Sequence, residues 1–155
     1  MGRNPIPRGH RALRRGRVSC PGHYYLVTTV TANRRPVFQN LRLGRLVVHS
    51  LRKAEPQATT KCFVVMPDHL HWLFQLRGNA ELSATVGGLK AGSARSIRQH
   101  APHIDQVWQR GFHDQGIRNE IALRTMARYV IANPLRAGLV ERVGDYPLWD
   151  AVWVE

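Results

Sequence analysis

The amino-acid sequence predicts an α+β fold in which an antiparallel sheet packs against helices. Four short segments have the composition or the alternation of strands, and three longer segments carry apolar residues at helical spacing. They follow one another in the order strand, helix, strand, strand, helix, strand, helix. This is the order of the split βαβ, or ferredoxin-like, fold with one additional C-terminal helix, and we expect its helices on one face of the sheet.

The first strand is predicted from His23 to Thr31, which is rich in Tyr, Val and Thr and follows the turn-forming pair Pro21-Gly22. A helix is predicted from about Leu43 to Ala54, because apolar residues recur there every three or four positions. Pro56 ends this helix, since proline cannot continue it.

A β-hairpin is predicted at the centre of the sequence. Its first strand runs from Cys62 to Met66 and stops at Pro67, which has a fixed φ and no N–H donor. Successive side chains of the second strand point to opposite faces. One face carries His69, His71, Leu73 and Gln75, and the other carries Leu70, Trp72, Phe74 and Leu76. The second strand therefore has one packed face and one face on which two histidines lie together.

A second helix is predicted from about Leu82 to His100, with a buried stripe of Leu82, Val86, Leu89, Ser93 and Ile97. Lys90, Arg95 and Arg98 lie off this stripe. Several glycines interrupt the helix, although glycine lowers helix stability. Two explanations stay open: the close approach of a phosphate backbone, and tight packing of the helix on the sheet.

The C-terminal third continues with a short predicted strand, Gln106–Arg110, and a polar loop, Phe112–Gly116. The last main helix runs from Arg118 to about Asn133, because the following Pro134 disfavours helical geometry before it. We interpret the tail, Gly138–Glu155, as a packed cover over the core.

Composition indicates one globular domain with a polyanionic partner. The chain has 155 residues, of which 43% are hydrophobic, and 23 Lys and Arg against 10 Asp and Glu give a formal net charge of +13. Nucleic acid is the usual partner of such a surplus, and an anionic membrane is the competitor. No apolar run approaches the ~20 residues that span a bilayer. Cys20 and Cys62 offer neither a disulfide framework nor a metal motif, so a cytoplasmic protein is expected.

The first 20 residues are predicted to be a basic N-terminal arm, and residues 21–155 a single folded domain. The arm has no acidic residue in its first 17 positions, and its glycines and prolines speak against a helix. Such arms bind nucleic acid or remain solvated tails. Its arginines are Arg3, Arg8, Arg11, Arg14, Arg15 and Arg17.

His69 and His71 could ligate a divalent ion through neutral ring nitrogens, or they could be ordinary hydrogen-bonded histidines. Tyr129 and Asn133 are four residues apart, so they project from one face of the last helix. A phenol and an amide oxygen presented toward the histidines would form a compact site with Tyr129 as nucleophile. Alternatively, Tyr129 lies at the core boundary and Asn133 merely ends a helix before proline.

Several motifs together resemble one family. Met66-Pro67-Asp68-His69-Leu70-His71 is similar to the "MPxHxH" motif of the single-tyrosine HUH transposases, and residues 129–140 resemble their "YxxxNPxRAGLV" segment. Residues 21–25, 34–38 and 108–114 are also similar, and the subgroup indicated is the REP-associated tyrosine transposases. The resemblance covers about Arg15 to Trp153, and its strength comes from the order and spacing of the motifs.

This resemblance implies a DNA transesterase. Tyr129 would attack a scissile phosphate in single-stranded DNA, and His69, His71 and Asn133 would hold Mg²⁺ or Mn²⁺. The implied substrate is a hairpin-forming REP element, no nucleotide cofactor is needed, and both monomer and homodimer stay open. The expected DNA contacts are the arm arginines together with Lys90, Arg95, Arg98, Arg110, His113 and Arg118.

The chain departs from the family pattern at two positions. Asp68 stands where Asn is common, and it would tune the metal or add a weak ligand. Gln115 stands where relatives often carry His, so any proton transfer by that His would be lost. If Asn133 is not the third ligand, Asp68 and His113 are the next candidates.

Two other functions compete with the transesterase. A protein of the same descent could hold DNA hairpins without cleaving them. A basic RNA-binding protein could carry the histidines for structural reasons.

Overall fold

A five-stranded antiparallel sheet forms the centre of the part of the chain that the structure, a computed structural model, describes, residues 22–153. The strand order is β4-β1-β3-β2-β5, and all four pairings are antiparallel. The strands are β1 Tyr24–Val30, β2 Ala58–Met66, β3 His69–Leu76, β4 His113–Ile117 and β5 Trp149–Ala151. The first four strands have the order of the ferredoxin-like arrangement, which confirms the predicted fold class.

Four helices connect or follow these strands: α1 Leu41–Lys53, α2 Leu82–His100, α3 Glu120–Ile131 and the short α4 Asn133–Arg136. Asparagine side chains cap the N-termini of two of these helices. The Asn40 amide oxygen accepts a hydrogen bond from the Arg42 N–H at 3.1 Å at the start of α1. The Asn119 amide oxygen accepts one from the Ala122 N–H at 2.8 Å at the start of α3. Pro134 lies in the first turn of α4, where its missing N–H costs little.

The two helices of the ferredoxin-like arrangement lie on one face of the sheet, as predicted, and the additional helix lies on the other face. α1 and α2 cover the face that carries Trp72 and Phe74. α3 covers part of the opposite face, where its residues Leu123, Ala127 and Val130 pack against Leu26, Val64 and Leu73 of the sheet. The face of β2 on the histidine side of the sheet is apolar, with Cys62, Val64 and Met66 all buried. A helix on this side is needed to keep that apolar surface from water.

The predicted strand at Gln106–Arg110 is wrong. Residues of this segment form a single bridge, between Trp108 and Thr31. The Trp108 indole packs on Phe38, with ring centroids 5.3 Å apart, and its Nε1–H donates to the Ser93 hydroxyl at 3.0 Å. The apolar residues of this segment thus fill the core beside α2. The expected polar loop that follows it is the edge strand β4 instead, and β4 pairs with β1 alone.

The tail covers the core as predicted, and it adds a strand that the sequence did not indicate. Leu148 is buried in the main core. The Tyr146 hydroxyl donates a 2.6 Å hydrogen bond to the Val65 carbonyl. β5 then pairs with the outer edge of β2. The tail thereby protects an edge of the sheet that would otherwise expose unpaired backbone groups.

α2 is the longest described helix, with 19 residues, and its predicted stripe is buried at all five positions. A Cβ atom added at Gly87, Gly88 or Gly92 would meet nothing within 4 Å. Tight packing on the sheet therefore does not explain these glycines, and the approach of a phosphate backbone stays a prediction. No helix in the described part of the chain is both long and apolar enough to cross a bilayer.

Candidate active site

His69 and His71 lie side by side on one face of β3, as their spacing predicts. Their ring centroids are 4.8 Å apart, and the rings meet edge to face. β3 is flanked by β1 and β2, so the backbone that carries the histidines is hydrogen-bonded on both sides. Two imidazoles on this rigid central strand are held in a fixed relation to each other.

His71 is oriented by the neighbouring strand. Thr28 of β1 pairs with His71 in register, and a 2.8 Å hydrogen bond joins the Thr28 Oγ1 to the His71 Nδ1. Burial, together with smaller contributions from the charges of His69 and Arg136, lowers the pKa of His71 to about 4. The imidazole is thus kept neutral near pH 7, which is the form that can ligate a metal.

His69 is oriented by the carboxylate that precedes it. Its Nδ1 lies 2.7 Å from the Asp68 Oδ1, and the Asp68 Oδ2 lies 3.3 Å from the Arg34 guanidinium. Burial alone would raise the pKa of Asp68, but the hydrogen bond from His69 and the charges of His69 and Arg34 lower it overall. An ionised carboxylate only accepts hydrogen bonds, so in the neutral imidazole of His69 Nδ1 carries the proton and Nε2 the lone pair. Both Asp68 oxygens are engaged, one by His69 and the other by Arg34.

The turn that presents Asp68 is fixed by backbone hydrogen bonds. The Thr31 N–H donates to the Asp68 carbonyl and the Phe38 N–H donates to the Pro67 carbonyl, both at 2.9 Å. Arg34 adopts a left-handed conformation, with φ of 51°. This conformation is unfavourable for a residue with a Cβ. It occurs in the turn after β1 that brings the Arg34 side chain to Asp68.

Tyr129 lies near the C-terminal end of α3, on the helix that packs against the same face of the sheet as the histidines. Its side chain is 53% exposed, and its hydroxyl forms no hydrogen bond within residues 22–153. The Arg136 guanidinium stacks over the Tyr129 ring, with Cζ 4.0 Å from the ring centroid. Tyr129 is therefore an accessible phenol outside the apolar stripe, as the sequence predicts.

Asn133 begins α4, directly after the turn that ends α3. Its side chain is half-buried and caps neither helix, since it forms no hydrogen bond with any described residue. Its carbonyl accepts from the Ala137 N–H at 3.0 Å. Residues 22–153 contain no cluster of three or more His, Cys, Asp or Glu side chains suited to a metal. The amide oxygen of Asn133 thus remains the predicted third ligand.

The predicted DNA contacts divide between the arm and the described domain. The six arm arginines lie outside the described residues. Lys90 has a structural task, since its ammonium donates to the carbonyls of Gln109 and Gly111 at 2.8 and 2.6 Å. Exposed members of the set are Arg95, Arg98, Arg110, His113 and Arg118.

His113 lies on the same face of the sheet as His71. Both residues pair with Thr28, and directly paired residues of antiparallel strands point to the same side. Gln115 follows two positions later on β4 and shares this face. The role of both residues in the chemistry stays a prediction.

Three residues that orient the site, Thr28, Arg34 and Arg136, were not among the predicted site residues. Thr28 could have been found from the alternation of β1 once its register with β3 was known. Arg34 and Arg136 each belong to a motif that resembles the family. Their contacts with Asp68 and Tyr129 depend on a turn and a helix junction, which spacing alone does not reveal.

Residues 19–133 match the model of the family described as "Transposase IS200 like". The REP-associated tyrosine transposase of Escherichia coli (strain K12) is 30% identical over 111 residues, which are 71% of this chain and 62% of that protein. A Haemophilus influenzae protein is 30% identical over 98 residues, which are 57% of this chain and 56% of its own length. The chain thus spans roughly three fifths of the length of the curated relatives it matches.

Among solved structures, that of a REP-associated tyrosine transposase bound to a REP hairpin has the same fold. The TM-score is 0.69 at 23% identity, and the match covers 86% of this chain and 79% of that chain. Since the family model covers well over half of the sequence, the chain belongs to the IS200-like transposase family, and the resemblance to its REP-associated tyrosine transposases is confirmed.

Proposed function

We propose that this protein is a metal-dependent single-stranded DNA transesterase that nicks and rejoins DNA at REP-type hairpins through a 5′-phosphotyrosine on Tyr129. The observation that carries the proposal is the histidine pair. His69 and His71 lie side by side on one strand face, and the Nδ1 of each is held by a neighbouring side chain. This arrangement directs ligation to the two Nε2 atoms.

The donor set fits a divalent metal. Metal-ligating histidines usually donate their second ring N–H to a carboxylate or another oxygen, and Asp68 and Thr28 offer such oxygens here. In this proposal His69, His71 and the amide oxygen of Asn133 hold Mg²⁺ or Mn²⁺, and imidazole ligands suit Mn²⁺ somewhat better. When bound, the metal polarises the scissile phosphate and neutralises its charge.

Tyr129 performs the covalent step. Its oxygen forms a bond to phosphorus as the bond from phosphorus to the 3′-oxygen breaks. The phenol loses its proton, and the departing 3′-oxygen gains one. The phosphodiester is exchanged for a phosphotyrosine of similar energy, so the strand can be rejoined by the reverse reaction without a nucleotide cofactor. The exposure of Tyr129 gives a DNA strand direct access to the hydroxyl.

Hairpin DNA is the substrate that the charge and the relatives favour. The formal net charge of +13 supports binding to a polyanion. The solved relative with the same fold is bound to a REP hairpin, and phosphate contacts from arginines would position such a hairpin without reading its sequence.

The deciding experiment uses single-stranded oligonucleotides that carry the palindromic repeats flanking the protein's own gene. With Mn²⁺ or Mg²⁺, the wild-type protein should form a covalent adduct that resists denaturing gel electrophoresis and retains the 3′ part of the DNA. Tyr129→Phe should abolish the adduct and leave hairpin affinity within about threefold, because it removes one oxygen and no charge.

Other outcomes would assign another function. A gel shift without any adduct under all metal conditions would identify a protein that only holds hairpins. Stronger binding to RNA hairpins than to DNA hairpins of the same sequence would identify an RNA-binding protein. An adduct formed by Tyr129→Phe would move the nucleophile to another tyrosine.

Asn133→Ala should weaken Mn²⁺ affinity and adduct formation together, by less than His69→Ala or His71→Ala, because water can replace one ligand. Calorimetric titration with Mn²⁺ measures the affinity, and adduct formation against Mn²⁺ concentration measures its consequence. If Asn133 serves only the helix junction, the variant would lose about 0.5 to 1 kcal/mol of folding free energy with an unchanged Mn²⁺ titration. The third ligand would then be sought at His113.

A further inference from the structure

Arg136 contacts Tyr129, the predicted nucleophile, in two ways. Its guanidinium stacks on the Tyr129 ring with Cζ 4.0 Å from the centroid, and its Nη2 donates to the Tyr129 carbonyl at 2.7 Å. One side chain thus contacts both the ring and the carbonyl of Tyr129.

The helix junction explains this placement. Arg136 follows Tyr129 by seven residues, about two turns, and so returns to the same side of a nearly continuous helix. α3 ends at Ile131 and α4 starts at Asn133, with only Ala132 between them. Long helical side chains lean toward the N-terminus of their helix. Arg136 therefore leans back over the last turn of α3, where Tyr129 lies.

The stacked arrangement leaves the binding edge of Arg136 available. Stacking occupies the flat face of a guanidinium, whereas its five N–H donors lie in the plane and point outward. One donor is used by the Tyr129 carbonyl. Arg136 is exposed and forms no ion pair with any acidic residue of the described chain. An uncompensated guanidinium with free in-plane donors suits a phosphate group.

We propose that Arg136 binds the scissile phosphate and holds it beside the Tyr129 hydroxyl. This inference rests on the proposed transesterase function. Arg136 donates to the non-bridging oxygens of the phosphate, whose charge grows as the Tyr129 oxygen approaches. Because the same guanidinium is stacked on the phenol, the distance between nucleophile and phosphate is set by one rigid group.

Two variants separate this role from that of a helix clamp. Arg136→Gln removes the charge at similar length. Arg136→Lys keeps the charge and can still donate to the Tyr129 carbonyl, but it can neither stack as a plane nor bind phosphate with two parallel donors. Arg142→Gln is the matched control, because the Arg142 side chain is 82% exposed and lies 3.6 Å from Asp145. Thermal unfolding of each variant reports the effect on folding.

The first measurement needs no cleavage. Thymidine 3′,5′-bisphosphate is titrated into each protein with Mg²⁺, and the Nε–H signal of Arg136 is followed by NMR. The signal should shift in the wild-type protein. Arg136→Gln should weaken binding about tenfold, since a hydrogen bond to a charged group contributes about 1.5 kcal/mol or more. Arg142→Gln should stay within about twofold. Equal affinity of wild type and Arg136→Gln, or no shift at Arg136, would refute the proposal.

The second measurement is the rate of adduct formation on the hairpin oligonucleotide. Arg136→Gln should lower it about 100-fold, the typical loss when one donor to a developing oxyanion is removed, with hairpin affinity within about threefold. Arg136→Lys should recover only part of the rate. Full recovery in Arg136→Lys would show that Arg136 is a helix clamp. If the wild-type protein forms no adduct, the proposed function fails, while the bisphosphate titration still decides the role of Arg136.

Discussion

Asp68 gains a specific task in this structure. It connects His69 to Arg34 through its two oxygens. A carboxylate behind a ligating histidine fixes the ring and raises its basicity, and loss of such a partner typically costs 10- to 100-fold in metal affinity. In the proposed function, Asp68 would therefore hold the ring of a metal ligand in a fixed orientation.

Asp68→Asn should lower the Mn²⁺ affinity of the protein about tenfold, because an amide can accept the His69 hydrogen bond but brings no negative charge. Calorimetric titration with Mn²⁺ measures this change. Asp150→Asn, at an exposed position on β5, is a control for the loss of one carboxylate. An unchanged affinity in Asp68→Asn would show that the pair with His69 is only a surface contact.

Individual residues differ in how well the sequence predicts them. The shared face of His69 and His71 follows from alternation alone, because a strand has a fixed period of two. Thr28 is 43 positions from His71, and only the register of β1 against β3 brings the two together. The stacking of Arg136 on Tyr129 requires the helix to continue almost unbroken past Pro134, whereas the sequence predicts that the helix ends there.

At the scale of elements, α2 poses a question that its packing leaves open. Gly88 is exposed in the middle of the helix, and a methyl group there would meet no neighbour. It lines a cleft of about 650 Å³ between α1 and α2, together with Lys53 of α1. A glycine that lowers helix stability without a packing reason is consistent with the predicted approach of a phosphate backbone.

Gly88→Ala should raise the free energy of unfolding by about 0.5 to 1 kcal/mol, since alanine is the better helix former and fits the space. It should also weaken hairpin binding at least threefold if a phosphate backbone approaches this face. Urea unfolding and a gel-shift titration measure the two effects. Gly144→Ala, where an added methyl also meets nothing, is the comparison for binding. A stabilised variant with unchanged affinity would remove DNA contact as the reason for the glycine.

Elements with many buried positions were predicted well, and elements at an edge were not. α2 shows all five predicted stripe residues buried, because a 19-residue helix repeats its pattern several times. β4 has five residues and pairs on one side only, so exposed and buried positions do not alternate along it. β5 has three residues, too few for any pattern. In contrast, Val107 and Trp108 give their segment the apolar composition of a strand, although they are apolar because both are buried in the core.

At the scale of the whole molecule, the two faces of the sheet have different tasks. One face is closed by α1 and α2 and holds the larger core. The other is divided between α3, which closes part of it, and the strand ends that carry His69, His71 and His113. Because α3 both covers the sheet and carries Tyr129, the packing of its apolar stripe also sets the position of Tyr129. The additional helix thus brings the predicted nucleophile to the face that carries the histidines.

The arginine-rich part of the arm, residues 1–17, lies outside the described residues, and its predicted contact with DNA phosphates is testable in solution. Deleting it should weaken hairpin binding and flatten its salt dependence. Each lost phosphate contact reduces the slope of log K against log salt by roughly 0.7 to 0.9. The deletion removes six arginines, so the slope should fall by several units if most of them contact phosphates. Fluorescence anisotropy with a labelled hairpin at several salt concentrations gives the slope.

A full-length variant with all six arm arginines replaced by glutamine distinguishes charge from length. It should reproduce the slope of the deletion, because the arm would act through phosphate contacts and not through its backbone. Arg52→Gln is the control for loss of positive charge elsewhere, because Arg52 is exposed on α1, on the side of the sheet opposite to the histidines. This variant should change the slope by less than one unit. A wild-type slope in the six-glutamine variant would show that the arm forms no ionic contact with the hairpin. The DNA would then be bound by the described domain alone, and Arg95, Arg98, Arg110 and Arg118 would be the next arginines to replace.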